Sequence, residues 1–133
     1  MKIVSAREVR KILRKQWPQL KHIWIFDRKL ILLPQEKIDF ILKGISVYKQ
    51  QFKDELFDCD DYALVANAFI KLEVAKLKLD HNCVFGEAAM VHPEIGIHNQ
   101  NVYITEDFKI KLFEPQANKT ILPNGETVFY VRI

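Results

Sequence analysis

Apolar positions along the chain follow helical spacing up to about residue 82 and strand alternation after it, with one short exception. Ser5-Ala6-Arg7-Glu8 has the spacing of a capping box. It opens an amphipathic helix with Val9, Ile12 and Leu13 on one side, and Trp17-Pro18 closes it. Residues 22–26 and 29–33 are the exception: two short strands around a turn at Asp27-Arg28, a hairpin. Pro34 begins a second helix carrying Ile38, Ile41, Leu42 and Ile45. Residues 49–57 show no period and read as a loop. Asp58 stands at an N-cap position, and residues 59–79 form a helix whose first half is apolar nearly all round, hence buried on most sides. Strands are predicted over 83–91, 95–104, 108–114 and 127–133, with Pro123-Asn124-Gly125 as the last turn. Helices first and an antiparallel sheet second make an α+β fold.

Apolar matching also sets a register. Pairing Ile104 with Phe108 and Val102 with Ile110 leaves a polar face of Tyr103, Lys109, Asn101 and Lys111. Carried on, this register puts His98 opposite Glu114, where directly opposed Cβ atoms lie about 4.5–5.5 Å apart. The buried helix is expected to pack on the face of Val102 and Ile104, bringing Cys59 at its N-terminus to His98 and Glu114.

Those three residue types have the makings of a cysteine-hydrolase triad. A thiolate is the nucleophile, and a helix N-terminus lowers the thiol pKa. An imidazole takes the thiol proton and returns it to the leaving group, while a third group fixes the imidazole. Asp58, Asp60 and Asp61 work against the thiolate by like charge. A bound hard cation such as Ca²⁺ offsets that penalty, so Asp60 and Asp61 are the metal-ligand candidates.

The remaining composition narrows the field. The chain has 133 residues, 49% hydrophobic and 28% charged, which suits one globular domain. A net charge of +3 from 20 basic and 17 acidic residues is too balanced to suggest nucleic acid. Arg7, Arg10, Lys11, Arg14 and Lys15 read as a solvated helix face. No secretory signal or membrane span is evident, and two cysteines make a weak case for an oxidising compartment, so a cytoplasmic protein with no membrane partner is expected. The domain reading is a single unit, 1–133, with 1–50 as accessory helices and hairpin and 55–133 as catalytic core.

Asp58-Cys59-Asp60-Asp61-Tyr62-Ala63, His98-Asn99-Gln100-Asn101 and Leu112-Phe113-Glu114-Pro115-Gln116 resemble, in order and spacing, the papain-like C-terminal domain of the fairy-ring mushroom agglutinin and related microbial and phage proteins. The resemblance covers about residues 55–118. It implies a papain-like fold and a calcium-activated cysteine protease acting on a peptide or protein substrate. Cys59 would be the nucleophile, His98 the base and Glu114 the orienting carboxylate, with Asp60 and Asp61 on calcium. Gln116 and Gln51 are both candidates for the oxyanion donor. The mushroom protein's separate sugar-binding domain has no room in this length, so lectin activity is not implied. Two other functions stay open: a transglutaminase-like acyl transferase, and a non-catalytic binding module that keeps the papain-like fold.

Overall fold

The computed structural model describes residues 1–54 and 56–133; Glu55, in the expected loop, lies outside the described residues. Its elements are β1 (Lys2–Ser5), α1 (Ala6–Gln16), β2 (His22–Trp24), β3 (Lys29–Leu32), α2 (Gln35–Leu42), a 3₁₀ turn (Val47–Lys49), α3 (Cys59–Lys76), β4 (Phe85–His92), β5 (Gly96–Ile104), β6 (Ile110–Glu114), β7 (Lys119–Ile121) and β8 (Thr127–Arg132). Helix starts follow local chemistry. Ser5 Oγ accepts the Glu8 N–H at 3.2 Å while Glu8 Oε2 accepts the Ser5 N–H at 2.7 Å. At α3 the Asp61 carboxylate accepts the Asp58 N–H at 3.1 Å. No helix among the described residues is long and apolar enough to cross a membrane.

The strands form two sheets. β1 pairs with β3, and a six-stranded sheet has the order β2-β8-β4-β5-β6-β7, with β2 parallel to β8 and the other pairs antiparallel. The expected hairpin of residues 22–33 does not form. Its first strand joins β8 and its second joins β1, because Ile23 has the large core for a neighbour while Leu30 and Leu32 pack beside α1.

The β5–β6 register is displaced by two residues from the expected one: Ile104 faces Ile110 and Asn101 faces Phe113. A wider turn takes up the difference. Thr105 N–H donates to Lys109 O at 3.1 Å, Phe108 N–H donates to Thr105 O at 2.8 Å, and Phe108 sits at φ 63°. Phe108 is thereby drawn out of the strand, 47% exposed, beneath the Lys2 ammonium at 4.6 Å. An even displacement leaves every side chain on its original face.

Each face of the sheet has its own core. On one, Val9, Leu13 and Trp17 of the α1 region pack on Ala88, Met90, Val102, Ile104, Leu112, Val128 and Val131. On the other, Tyr62, Ala66, Ile70 and Val74 of α3, with Ile38, Ile41 and Leu42 of α2, pack on Phe85, Tyr103 and Phe113. So α3 lies on the face opposite to the one expected. The face of Tyr103 and Asn101 is not a solvent face: Asn101 is buried, and its Nδ2 donates to Ala63 O of α3 at 2.8 Å.

Candidate functional site

His98 and Glu114 meet, though by a different route from direct opposition. With Asn101 facing Phe113, continuation of the register puts Gln100 opposite Glu114 and leaves His98 one alternation further out. His98 Nε2 lies 2.5 Å from Glu114 Oε2, and Gln100 Nε2 donates to the same oxygen at 2.8 Å. The Gln116 backbone N–H donates to Glu114 Oε1 at 3.1 Å. Burial alone would raise the Glu114 carboxyl pKa. The hydrogen bonds from His98 and Gln100, the His98 charge and the Gln116 N–H outweigh it, and the pKa lies below the ordinary value.

Cys59 is the first residue of α3 and is half-buried. Its sulfur accepts a hydrogen bond from the Asn99 backbone N–H, one residue past His98. Desolvation pushes its thiol pKa up, the Asn99 N–H counters in part, and the charges of Asp58 and Asp60 push further up. Among the described residues no hydrogen bond joins this thiol to the His98 ring. His98 belongs to the alternation of Gln100, Val102 and Ile104, and faces Met90 across β4, on the α1 side of the sheet. The acid–imidazole pair is therefore assembled, while burial and the Asp58 and Asp60 charges raise the thiol pKa against the opposing Asn99 N–H.

The acidic cluster divides. One ligand atom each from Asp58, Cys59 and Asp60 lies within 4.8 Å of the others. Asp61, expected beside Asp60 on a metal, spends a carboxylate oxygen on the Asp58 N–H. Gln116 reaches Glu114 through its backbone, and Gln51 is exposed in the segment before α3.

Next to Cys59, on the α3 side of the sheet, is a cleft of about 350 Å³ lined by Asp60, Leu64, Glu87, Ala89, Asn99, Tyr130 and Arg132. Arg132 Nη2 bonds both carboxylate oxygens of Glu87 at 2.9 Å, and Asn67 Nδ2 donates to Glu87 at 2.9 Å. The sequence reading missed this cleft, and it missed Gln100. Gln100 had a usable signal, being two residues from His98 on the same strand face. The cleft had none, because its residues come from four separate elements.

Residues 30–120 match the family model described as "Agglutinin C-terminal". No curated protein matches. Among solved structures, one described as a PSL1a–E64 complex is 18% identical with a TM-score of 0.80, covering 98% of this chain and 51% of that one. A Polyporus squamosus lectin, described as bound to the human-type influenza-binding epitope Neu5Acα2-6Galβ1-4GlcNAc, is 17% identical with a TM-score of 0.83, covering 98% of this chain and 49% of that one. The chain thus spans about half the length of these proteins. Together they show the fold, an α+β arrangement of papain-like architecture. They also correct the functional expectation. The matches are to an agglutinin and a lectin, which overturns the reading of a papain-like cysteine protease, a thiol hydrolase working on a peptide or protein substrate.

Proposed function

Because the chain belongs to the agglutinin C-terminal family, we propose that it is a non-catalytic binding module of papain-like fold whose ligand is a carbohydrate, seated in the cleft between α3 and the sheet. The observation that carries this is the state of Cys59. Its sulfur is hydrogen-bonded to Asn99 N–H, its pKa is raised, and among the described residues no hydrogen bond joins it to the His98 ring, whose Nε2 is bonded to Glu114. Without a thiol–imidazole bond the cluster serves as a fixed polar wall rather than a proton relay. The cleft beside it supports a sugar ligand. Asp60, Asn99, Glu87 and Arg132 present planar donors and acceptors suited to hydroxyl groups, and Tyr130 and Leu64 add apolar surface. The Polyporus squamosus relative, of which this chain matches about half, is described with a bound glycan.

Titration calorimetry with a panel of oligosaccharides tests the proposal, including the trisaccharide carried by that relative. Saturable binding that Asn99→Ala weakens and Cys59→Ala leaves intact is the expected result. Absence of binding to every glycan, or Cys59-dependent cleavage of a peptide, overturns it.

The proposal extends to Ca²⁺. This ion takes about six to eight oxygen ligands, and thiols serve it poorly. Asp58 and Asp60 supply carboxylates, and the remaining positions fall to water, so the donor set fits a weakly held hard cation. Millimolar Ca²⁺ should raise the melting temperature of the wild type but not of Asp60→Asn. Identical melting in Ca²⁺ and in EDTA counts against this extension.

A further inference from the structure

β2 is the edge strand of the six-stranded sheet, with β8 on one side of it and no strand on the other. Its pairing runs past the strand itself. Ile133 N–H donates to Trp24 O at 2.8 Å, and Phe26 N–H donates to Ile133 O at 3.4 Å. In a parallel ladder one residue bonds the two that flank its opposite number, so alternate residues turn their backbone groups to the neighbour. Trp24 and Phe26 therefore spend theirs on β8. Ile25, and Ile23 two residues before it, aim N–H and C=O off the edge of the sheet. The side chains of Ile23 and Ile25 pack on the core beside α1. His22, Trp24 and Phe26 point to the opposite side and are exposed.

Along this edge runs a cleft of about 380 Å³, lined by Lys21, His22, Ile23, Trp24 and Ile25 and, from α1, by Arg10. Arg10, expected on a solvated helix face, is half-buried and forms the α1 wall. Arg7 and Arg14, three residues before it and four after, share its side of the helix. Among the described residues neither Lys21 nor any of these arginines makes an ion pair. The acid of α1, Glu8, gives a carboxylate oxygen to Ser5.

We infer that the β2 edge is a docking site for a partner protein that lays an extended acidic segment along it as an added strand, bound and not cut. Backbone groups aimed off an edge are matched by another strand, and cations beside them are matched by carboxylates. Strand geometry then sets the pattern of the partner segment, because successive side chains point to opposite faces. Those level with Ile23 and Ile25 point towards α1 and meet Arg10. Those level with Trp24 lie on the other face, against its ring. The segment therefore alternates acidic with apolar residues. An anionic lipid surface would meet the cations and leave the edge's backbone groups unmatched. This cleft shares no lining residue with the one proposed for a glycan, so either reading can fail without the other.

The test uses an eight-residue peptide alternating Glu and Val, acetylated and amidated. Trp17 is 2% exposed and bonded to Glu126, so a change in tryptophan emission on adding peptide reports Trp24. A saturable change is expected, and a peptide alternating Lys and Val should give none. Arg10→Ala with Lys21→Ala should weaken binding by about tenfold at an unchanged melting temperature. If that double variant melts early, Lys21→Glu, at an exposed position, carries the same test. N-methylation of one alternate set of peptide residues should abolish binding and of the other set spare it, since only one set turns its N–H to the edge. Equal binding of the two N-methylated peptides would mean contact by charge alone and overturns strand addition. Absence of binding by the Glu–Val peptide overturns the proposal, and so does binding that these substitutions leave unchanged. An emission change with phosphatidylserine vesicles and none with the peptide overturns it in favour of a lipid surface.

Discussion

The two faces of the central sheet have been finished differently. On the α1 side, Val9, Leu13 and Trp17 close an unbroken apolar core, and the polar pair His98–Glu114 is tucked in at its end. On the α3 side, the helix covers β5 and β4, and β8 and β2 emerge from under it with Tyr130, Arg132 and Trp24 uncovered. A sealed face supplies stability, and a half-covered one leaves side chains open to solvent at little cost in stability. The difference teaches that the polar pair most suggestive of chemistry is on the sealed side, while the proposed ligand cleft is on the other.

The largest expected effect tests that division directly. Leu13→Ala, at a fully buried position of α1, should cost about 2–5 kcal/mol in urea unfolding, whereas Leu64→Ala in the cleft should stay within about 0.5 kcal/mol. Equal losses would erase the distinction between the faces.

Alkaline titration comes next in size, and it probes the core under α3. Desolvation raises the Cys83 thiol from the ordinary 9.0 to about 11. Between these values the unfolded chain loses the proton and the native state keeps it, so stability should fall by roughly 2–3 kcal/mol as pH rises through that window. In Cys83→Ala this slope should shrink to the part left by Tyr103, whose phenol pKa burial also raises. A slope unchanged by the substitution would place its origin elsewhere.

The smallest effect concerns the α1 side's polar end. The Glu114 carboxyl is depressed below 4.5 in the folded protein, so near that pH the unfolded state binds more protons. The stabilisation is complete above the unfolded value and is lost as pH falls through the folded one. Glu114→Gln should flatten this acid-side dependence, read from urea midpoints at a series of pH values. Unchanged acid sensitivity would mean that the pair contributes nothing to the sealed face.

Much of this was legible locally. The Ser5–Glu8 box, the α3 start at Cys59 and the strands around 85–92 and 96–104 are written in neighbouring residues. β1 and β7 escaped notice because four and three residues carry too little alternation to register. The two-residue displacement at β5–β6 escaped because Phe108 reads as a strand residue by type and enters the left-handed region only inside the assembled turn.

By itself, the sequence determined the α+β order and the helix caps, since each depends on spacing within a segment. Tertiary structure alone decided which helix covers which side of the sheet. β5 is apolar on both faces, Val102 and Ile104 on one and Tyr103 on the other, so alternation permits either docking. Packing chose to seat α3 against Phe85, Tyr103 and Phe113. That choice gave the Cys59 sulfur to Asn99 rather than to His98 and left the outer strands open.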